Sequence, residues 1–310
     1  MKIYEYSFGK EIPIKNSAVA LGFFDGVHAA HRRLLKTARE IAKKESLTFT
    51  VFTFSSDGGF KGKSIYSTEE KLDLLKKEGV EAVVVADFSK ISSVEADDFI
   101  HSTLLRDLHC RAAIAGFDFR FGKGAVGNTE LLKSELIEAG AICEIEAEHK
   151  INGEKISTTK IKELLSKGMV EEAREFLGCP YFITASVSHG NGKGTGLGFP
   201  TANMDIETNR ATLKHGVYRT CAEIDGKLYS ALTNVGTCPT FEERRLHAET
   251  YILNYDGNLY DKKIRVFFLG FLRDEIKFES QKELILQIKV DINRTITENG
   301  ELKWQEIGQS

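Results

Sequence analysis

The sequence predicts two domains of different class, an N-terminal α/β domain built on a doubly wound parallel sheet and a C-terminal small antiparallel β-barrel with one covering helix. Three observations predict it. Over the first half, short apolar or β-branched runs alternate with stretches of helical spacing. Two short helices then end at Cys179-Pro180, where helix formation must stop. From Phe182 the chain reads as strands and turns until one amphipathic helix near its end. With 310 residues there is room for two domains, at ~100–200 residues each. The expected division is 1–180, 181–300 and a tail 301–310.

Composition narrows the class of partner. A hydrophobic fraction of 42% with 28% charged residues is that of a soluble globular chain. The net charge of -3 gives no ground for nucleic acid or an anionic membrane surface, so small-molecule substrates are the expected partners. Cysteines at 110, 143, 179, 221 and 238 include no CxxC pair, which fits reduced thiols better than a disulfide framework or a zinc knuckle. The start, MKIYEYSFGK, has no apolar signal core, and no apolar run reaches membrane-spanning length. A cytoplasmic location is expected; oligomeric state is not legible.

In the first half, Ala18 to Leu21 is a strand that runs into Gly22-Phe23-Phe24-Asp25-Gly26-Val27-His28, and Leu34, Leu35, Ala38, Ile41 and Ala42 recur with helical spacing beyond it. A strand, a glycine turn and a helix N-terminus form the place where open α/β sheets bind phosphate. Strand Leu47 to Phe54 follows. Ser67 and Glu70 make a capping box for a helix through Leu72, Leu74 and Leu75 that ends at Gly79. Strand Val80 to Ala86, helix Val94 to Leu108, strand Ala112 to Gly116, helix Thr129 to Ala139 and strand Ala141 to Ile145 complete the alternation. Gly122 to Gly127 fits GxGxxG, but it does not open from the first strand and reads as a turn.

His28 and His31 share one side of the first helical turn. As phosphate contacts they would donate to triphosphate oxygens and stabilise charge at the α-phosphorus. A metal cluster with Asp25 is a second reading, and partly exposed helix-start histidines without a ligand are the third.

The hinge carries helices Thr159 to Lys167 and Val170 to Leu177, each closed by a glycine. In the second half, Val217 to Ile224 and Leu228 to Val235 flank the hairpin signal Asp225-Gly226. Strands His247 to Tyr255 and Ile264 to Leu269 follow, then a helix from Ser280 to Arg294 with a capping box at Ser280 and Glu283.

The densest chemical signal is His189 to Asn203, HGNGKGTGLGFPTAN, with glycine at every second position from Gly190 to Gly198. A backbone nest for phosphate is one use of such a run, and a flexible linker is the other. The strand before it and the Phe199-Pro200-Thr201-Ala202-Asn203 end favour a site. Thr201 and Asn203 offer hard oxygens suited to magnesium beside a nucleotide phosphate. Lys193 is not followed by Ser or Thr in frame, so this is no P-loop. Glu249 sits inside a strand between Ala248 and Thr250, where an outward-facing acid is the plain reading.

The segment GxGLGFPTAN resembles the signature of riboflavin kinase domains, followed in that family's order by Gly216-Val217-Tyr218, by Asn234-Val235-Gly236-Thr237 and by Glu249 with ILNYDGNLY. GFFDGVHAAH is similar to the HxGH region of nucleotidyltransferases as it occurs in bacterial bifunctional FAD synthetases. Gly116-Phe117-Asp118-Phe119-Arg120-Phe121-Gly122 matches their glycine-acid-FRFG motif, and Ser157-Thr158-Thr159-Lys160-Ile161-Lys162 their second triphosphate segment. The resemblance spans nearly the whole chain. It implies a nucleotidyltransferase-like, Rossmann-like first domain that adenylylates FMN to FAD with ATP, releasing pyrophosphate. It implies a second domain that phosphorylates riboflavin to FMN with ATP and Mg2+.

The resemblance makes Glu249 the general base of the kinase, and Thr201 and Asn203 the magnesium ligands. Gly190, Gly192, Lys193, Gly194, Gly198, Phe199, Pro200, Asn234 and Arg273 become its nucleotide or flavin contacts. In the first domain it makes His28 and His31 catalytic, with Gly22, Phe24, Asp25, Gly26, Ser157, Thr158, Thr159 and Lys162 binding ATP. Asp118, Phe119 and Arg120 then bind FMN or nucleotide. The chain departs from the family at Ala30 for glycine, at Ser55 to Gly59 for a proline-histidine-proline turn, at Lys162 for arginine and at Cys238 for arginine. Two alternatives follow: a monofunctional riboflavin kinase with a degenerate first domain, and a non-catalytic flavin or nucleotide sensor.

Overall fold

Six strands fully parallel to one another form the centre of the first half. The computed structural model describes residues 1–56, 62–188, 193–239 and 244–300, with Lys193, Thr195, Cys238, Pro239, Arg244 and Arg245 described by backbone alone. Contacts divide the chain into two compact units, Met1–Thr158 and Thr159–Ser310.

In the first unit the elements run β1 (Lys2–Tyr6), β2 (Ser17–Leu21), α1 (Ala29–Lys44), β3 (Thr48–Phe54), α2 (Thr68–Lys77), β4 (Ala82–Ala86), α3 (Phe88–Ile91), α4 (Ala96–Asp98), β5 (Cys110–Gly116), α5 (Thr129–Glu138), β6 (Ile142–Glu146) and the small hairpin β7 (Lys150–Ile151) and β8 (Glu154–Lys155). The sheet order is β1-β4-β3-β2-β5-β6. From β2 the chain therefore winds outward through β3 and β4, then returns to β5 on the other side of β2. The reversal lies between β2 and β5, where open α/β sheets receive ligands beyond the strand ends.

All five residues of β2 are buried, as expected of a strand covered on both faces. Leu34, Leu35, Ala38 and Ala42 of α1 are its buried stripe, which gives the predicted spacing its cause. The Ser67–Glu70 capping box is present in both directions. Where a helix from 94 to 108 was expected, α4 continues as a π-type helix over Phe99–Asp107. Strand β1 was not anticipated. Only Tyr6 of it is buried, and its hydroxyl lies 2.7 Å from Asp107 Oδ2, pinning this edge strand to the sheet.

The second unit contains α6 (Thr158–Ser166), α7 (Val170–Leu177), β9 (Phe182–Ser186), α8 (Lys193–Gly196), β10 (Thr201–Asp205), β11 (Gly216–Ile224), β12 (Lys227–Pro239), β13 (Arg244–Ile252), β14 (Lys263–Arg273) and α9 (Gln281–Gly300). Its sheet runs β10-β13-β12-β11-β14-β9, antiparallel throughout. The two edge strands meet through a bridge between Ser188 and Asn203, so the sheet is nearly closed.

The contact division falls ahead of the boundary near 180 because α6 and α7 pack on this second sheet. The Lys214 N–H donates to Leu165 O at 3.1 Å, and Arg219 of β11 pairs with Glu171 of α7 at 2.9 Å. Helix α9 adds Glu298 to the same guanidinium and donates from Asn299 Nδ2 to Thr220 O at 3.0 Å.

Inside the second sheet a ladder of hydroxyls links three strands. Thr233 Oγ1 lies 2.8 Å from Thr220 Oγ1 and 2.9 Å from Thr250 Oγ1, and none of the three residues is exposed. Thr233→Val keeps the volume and strands two hydroxyls in an apolar interior. It is expected to lower unfolding stability by about 1–3 kcal/mol, read as a shift of the urea midpoint at constant slope.

Candidate functional site

In the first unit the site residues gather past the ends of β2 and β5. The chain leaves β2 through a loop whose backbone is left-handed at Phe24 (φ 51), Gly26 (φ 91) and Val27 (φ 42). Two of these are not glycine, so the conformation is strained and has to be held. Thr53 Oγ1 donates to Phe23 O at 2.8 Å, and the Ile65 N–H donates to Asp25 Oδ1 at 2.7 Å. Lys71 of α2, almost wholly buried, donates to Phe23 O, Thr53 Oγ1 and Phe54 O. Burial pulls its amine down to about 8, while the nearby Asp25 charge opposes the shift.

His28 is the N-cap of α1. Its Nδ1 accepts from the His31 N–H at 3.3 Å, which leaves the ring hydrogen on Nε2. The two imidazoles stack 3.6 Å apart and 8° from parallel, with Phe24 against His31. Burial pushes His28 down to about 4, and His31 lies well below the usual histidine range because of burial and its neighbours His28 and Lys71. Both rings are therefore neutral at pH 7. His31 Nδ1 is buried without a hydrogen-bond partner among the described residues. Asp25 is turned to Ile65, and no group of three metal-ligating side chains occurs among the described residues, so the metal-cluster reading gains no support.

Past β5, Asp118 pairs with Lys155 of β8 at 3.0 Å, and the Lys155 amine sits 4.6 Å from the centre of the exposed Phe117 ring. Phe119 stacks on Phe121, and Arg120 is exposed. Phe121 and Gly127 bridge to each other and close the loop between them, as the turn reading of Gly122 to Gly127 expects. Gly22 ends β2, and a Cβ there would meet the Phe24 ring at 3.2 Å. Thr158 Oγ1 reaches Asp25 O at 3.5 Å. Ser157 and Thr158 belong to the first unit, whereas Thr159 and Lys162 fall in the second. Ala30 is the second residue of α1; of the segment Ser55 to Gly59, residues 57–59 lie outside the described residues.

In the second unit Gly190 and Gly192 lie outside the described residues, as does the side chain of Lys193. Gly194 and Gly196 lie in the short α8, and Gly198 in the turn after it. At Gly194 the backbone closes so tightly that a Cβ would stand 2.4 Å from Phe199 O. Gly198 has φ +84, Phe199 packs edge-on against Tyr251 and Pro200 is exposed. The FPTAN end is strand: Thr201 and Asn203 lie on β10.

Register then aligns the side chains. Asn203 pairs with Glu249 of β13, Glu249 with Asn234 of β12, Asn234 with Val217 and Val217 with Arg273. The buried neighbours Ala248 and Thr250 show that Glu249 faces outward, where it is exposed. Arg273 stands at the end of this row, but its guanidinium is held by Asp291 of α9 through Nε at 2.9 Å and Nη2 at 2.8 Å.

A cavity of about 310 Å³ is lined by Thr201, Ala202, Thr250, Ile252, Tyr255 and Tyr260 among others, so from β13 it takes Thr250 and Ile252 and not the outward Glu249. Nothing in the local pattern marks Lys71 for this role, although it shares a helical face with the buried Leu74 and Leu75. His247 and Asp205 also escaped notice, although each alternates with a named residue on its strand.

These features define a two-unit protein whose halves answer to two separate families. Residues 11–160 match the family model described as FAD synthetase, and residues 177–298 the one described as riboflavin kinase. A bifunctional riboflavin kinase/FMN adenylyltransferase of Bacillus subtilis (strain 168) is 33% identical over 291 residues, covering 90% of this chain and 92% of its own. One from Haemophilus influenzae is 32% identical over 287 residues, covering 90% and 93%. A solved structure described as a macrolide-efflux protein from Streptococcus pneumoniae superposes with a TM-score of 0.86 at 30% identity, covering 95% of this chain and 99% of that one. The chain belongs to the bifunctional riboflavin kinase/FMN adenylyltransferase family.

The neutral histidines carry a pH consequence. Between the ordinary histidine value of 6.5 and the folded value of about 4, the unfolded chain binds protons that the folded chain refuses at His28. Stability is therefore lost as pH falls through that window. His28→Asn retains an N-cap acceptor and removes its part of the loss, up to roughly 3 kcal/mol. Denaturant midpoints measured from pH 7 to pH 4 are expected to fall less steeply in the variant.

Proposed function

We propose that this chain makes flavin cofactors by two consecutive transfers from ATP. The second unit phosphorylates riboflavin to FMN, and the first joins AMP to the FMN phosphate, giving FAD and pyrophosphate. Membership of the bifunctional family and the match of both halves support this over a single activity or a sensor role. The observation that carries it is the cross-strand row that sets Glu249 between Asn203 and Asn234.

In the kinase, the exposed Glu249 carboxylate acts as base and takes the proton of the ribityl 5′-hydroxyl as that oxygen attacks the γ-phosphorus. The adenosine end of ATP suits the largely apolar cavity with its tyrosines. The Thr201 hydroxyl and the Asn203 carboxamide offer two neutral oxygens, a donor set that fits Mg2+, which keeps water and phosphate as its other ligands. When bound, the ion neutralises charge on the phosphates.

In the adenylyltransferase, His28 donates from Nε2 as a neutral imidazole to a phosphate oxygen, beside the N-terminus of α1 with its outward N–H groups. The orphaned Nδ1 of His31 marks the same place as one where a ligand group is wanted. Gly22, Phe24, Asp25 and Gly26 shape the loop, Ser157 and Thr158 supply the first unit's part of the second triphosphate segment, and Asp118, Phe119 and Arg120 hold FMN on the β5 side. The domain limits 1–180 and 181–300 belong to the same reading. So does a cytoplasmic location, consistent with the thiols Cys110, Cys143, Cys179 and Cys221 being free.

Incubating the full chain with riboflavin, ATP and Mg2+ and separating the flavins by chromatography tests the proposal, with FAD as the expected end product. Glu249→Gln is expected to slow FMN formation by about 10²–10⁴-fold while FAD still forms from added FMN. Undiminished FMN formation in that variant overturns the kinase assignment.

A further inference from the structure

Outward-facing positions on β13 alternate, so His247 shares the face of Glu249, two residues before it. Asp205 of β10 lies directly opposite, and Gly236 of β12 adds no side chain on the other flank. The imidazole bridges two groups of β10. Its Nδ1 stands 2.8 Å from Asp205 Oδ1, and its Nε2 3.1 Å from Asn203 Oδ1; both oxygens only accept, so these two bonds use a hydrogen on each ring nitrogen. Asn203 in turn donates from Nδ2 to Thr201 O at 3.1 Å. Both ends of the Asn203 amide are thereby fixed. Asp205 is exposed, His247 keeps 16% of its side chain in contact with solvent, and Asn203 is 8% exposed, so the chain of contacts runs inward toward the proposed metal ligand.

A carboxamide has nearly the same shape when rotated by half a turn, but the rotation exchanges its acceptor for a donor. A cation ligand has to present oxygen. A bond donated to that oxygen selects the useful rotamer, and because an amide oxygen has two lone pairs, one remains for a cation. Resting on the kinase reading above, we propose that His247, braced by Asp205, is a positioning residue that holds the Asn203 oxygen in place for magnesium and the nucleotide phosphates. An ordinary cross-strand ion pair would stop at Asp205 and His247. The continuation to a buried amide two residues along β10 sets this one apart.

The test uses the full chain and four variants: His247→Phe, which keeps a ring and removes both nitrogens; His247→Gln, which restores a donor; Asn203→Ala; and the double variant His247→Phe with Asn203→Ala. Binding of ADP with Mg2+ is measured by calorimetry beside kinase kcat and KM, and the FMN-to-FAD rate and the unfolding midpoint report on the fold. His247→Phe is expected to weaken binding of ADP with Mg2+ and lower kcat/KM for ATP by about 10–100-fold, with KM for riboflavin little changed. His247→Gln recovers most of this, and adding His247→Phe to Asn203→Ala changes nothing further. An equal effect of His247→Phe with and without Asn203, or a lower unfolding midpoint with intact binding of ADP and Mg2+, overturns the proposal. Full kinase activity in Glu249→Gln overturns instead the reading on which it rests.

Discussion

Strand register is the constraint on which the second unit depends. Side chains of a strand alternate with a period of two, so a slip by one residue along β13 would turn Glu249 and His247 inward and Thr250 outward. The inner face prevents this. The hydroxyls of Thr220, Thr233 and Thr250 pair with one another, and each residue is fully buried, so any slip strands hydroxyls in an apolar interior. The buried ladder thereby fixes the opposite-face row of Asn203, Glu249 and Asn234. Closure through the Ser188–Asn203 bridge anchors the same row at its outer end, because Asn203 belongs to both.

The first unit meets a different problem, since its site lies on a loop and not on a strand. Left-handed backbone at Phe24 and Val27 costs on the order of 1–3 kcal/mol per residue, and a β-branched residue is among the least suited to it. Thr53, the Ile65 amide and Lys71 hold the loop from below. An ammonium buried in this way is expensive unless its hydrogens are all engaged. Two carbonyls and a hydroxyl engage them, and so tie the ends of β2 and β3 together.

Much of this was legible in the sequence, and the limits follow from physics. The alternation of strand and helix could be read because β2, β3, β4 and β5 are mostly buried and so are written in unbroken apolar residues. Edge strand β1 buries only Tyr6 and carries no such mark. Strand β10 was hidden because its residues were weighed as the end of a glycine run. The order of strands depends on crossovers that leave no local trace. Arg273 was legible as a position but not as a contact, because its partner Asp291 comes from another element. Glu249 was legible as an outward strand acid, but the amides on either side of it became visible only with the register.

The two sites also treat charge in opposite ways. Glu249 stands exposed, where water solvates its carboxylate and no counter-charge is needed. Among the described residues of the first unit, the buried cation is Lys71. Its field and the burial of the rings both disfavour a charged His31, while Asp25 favours the charged lysine. These effects agree with one another: the positive charge stays behind the loop carbonyls that it organises, and the imidazoles remain neutral donors. A neutral donor attracts any anion only weakly at long range. At the proposed adenylyltransferase site, selection would therefore fall to hydrogen-bond geometry and to the N-terminus of α1, and a stacked, capped histidine pair is rigid enough to impose that geometry.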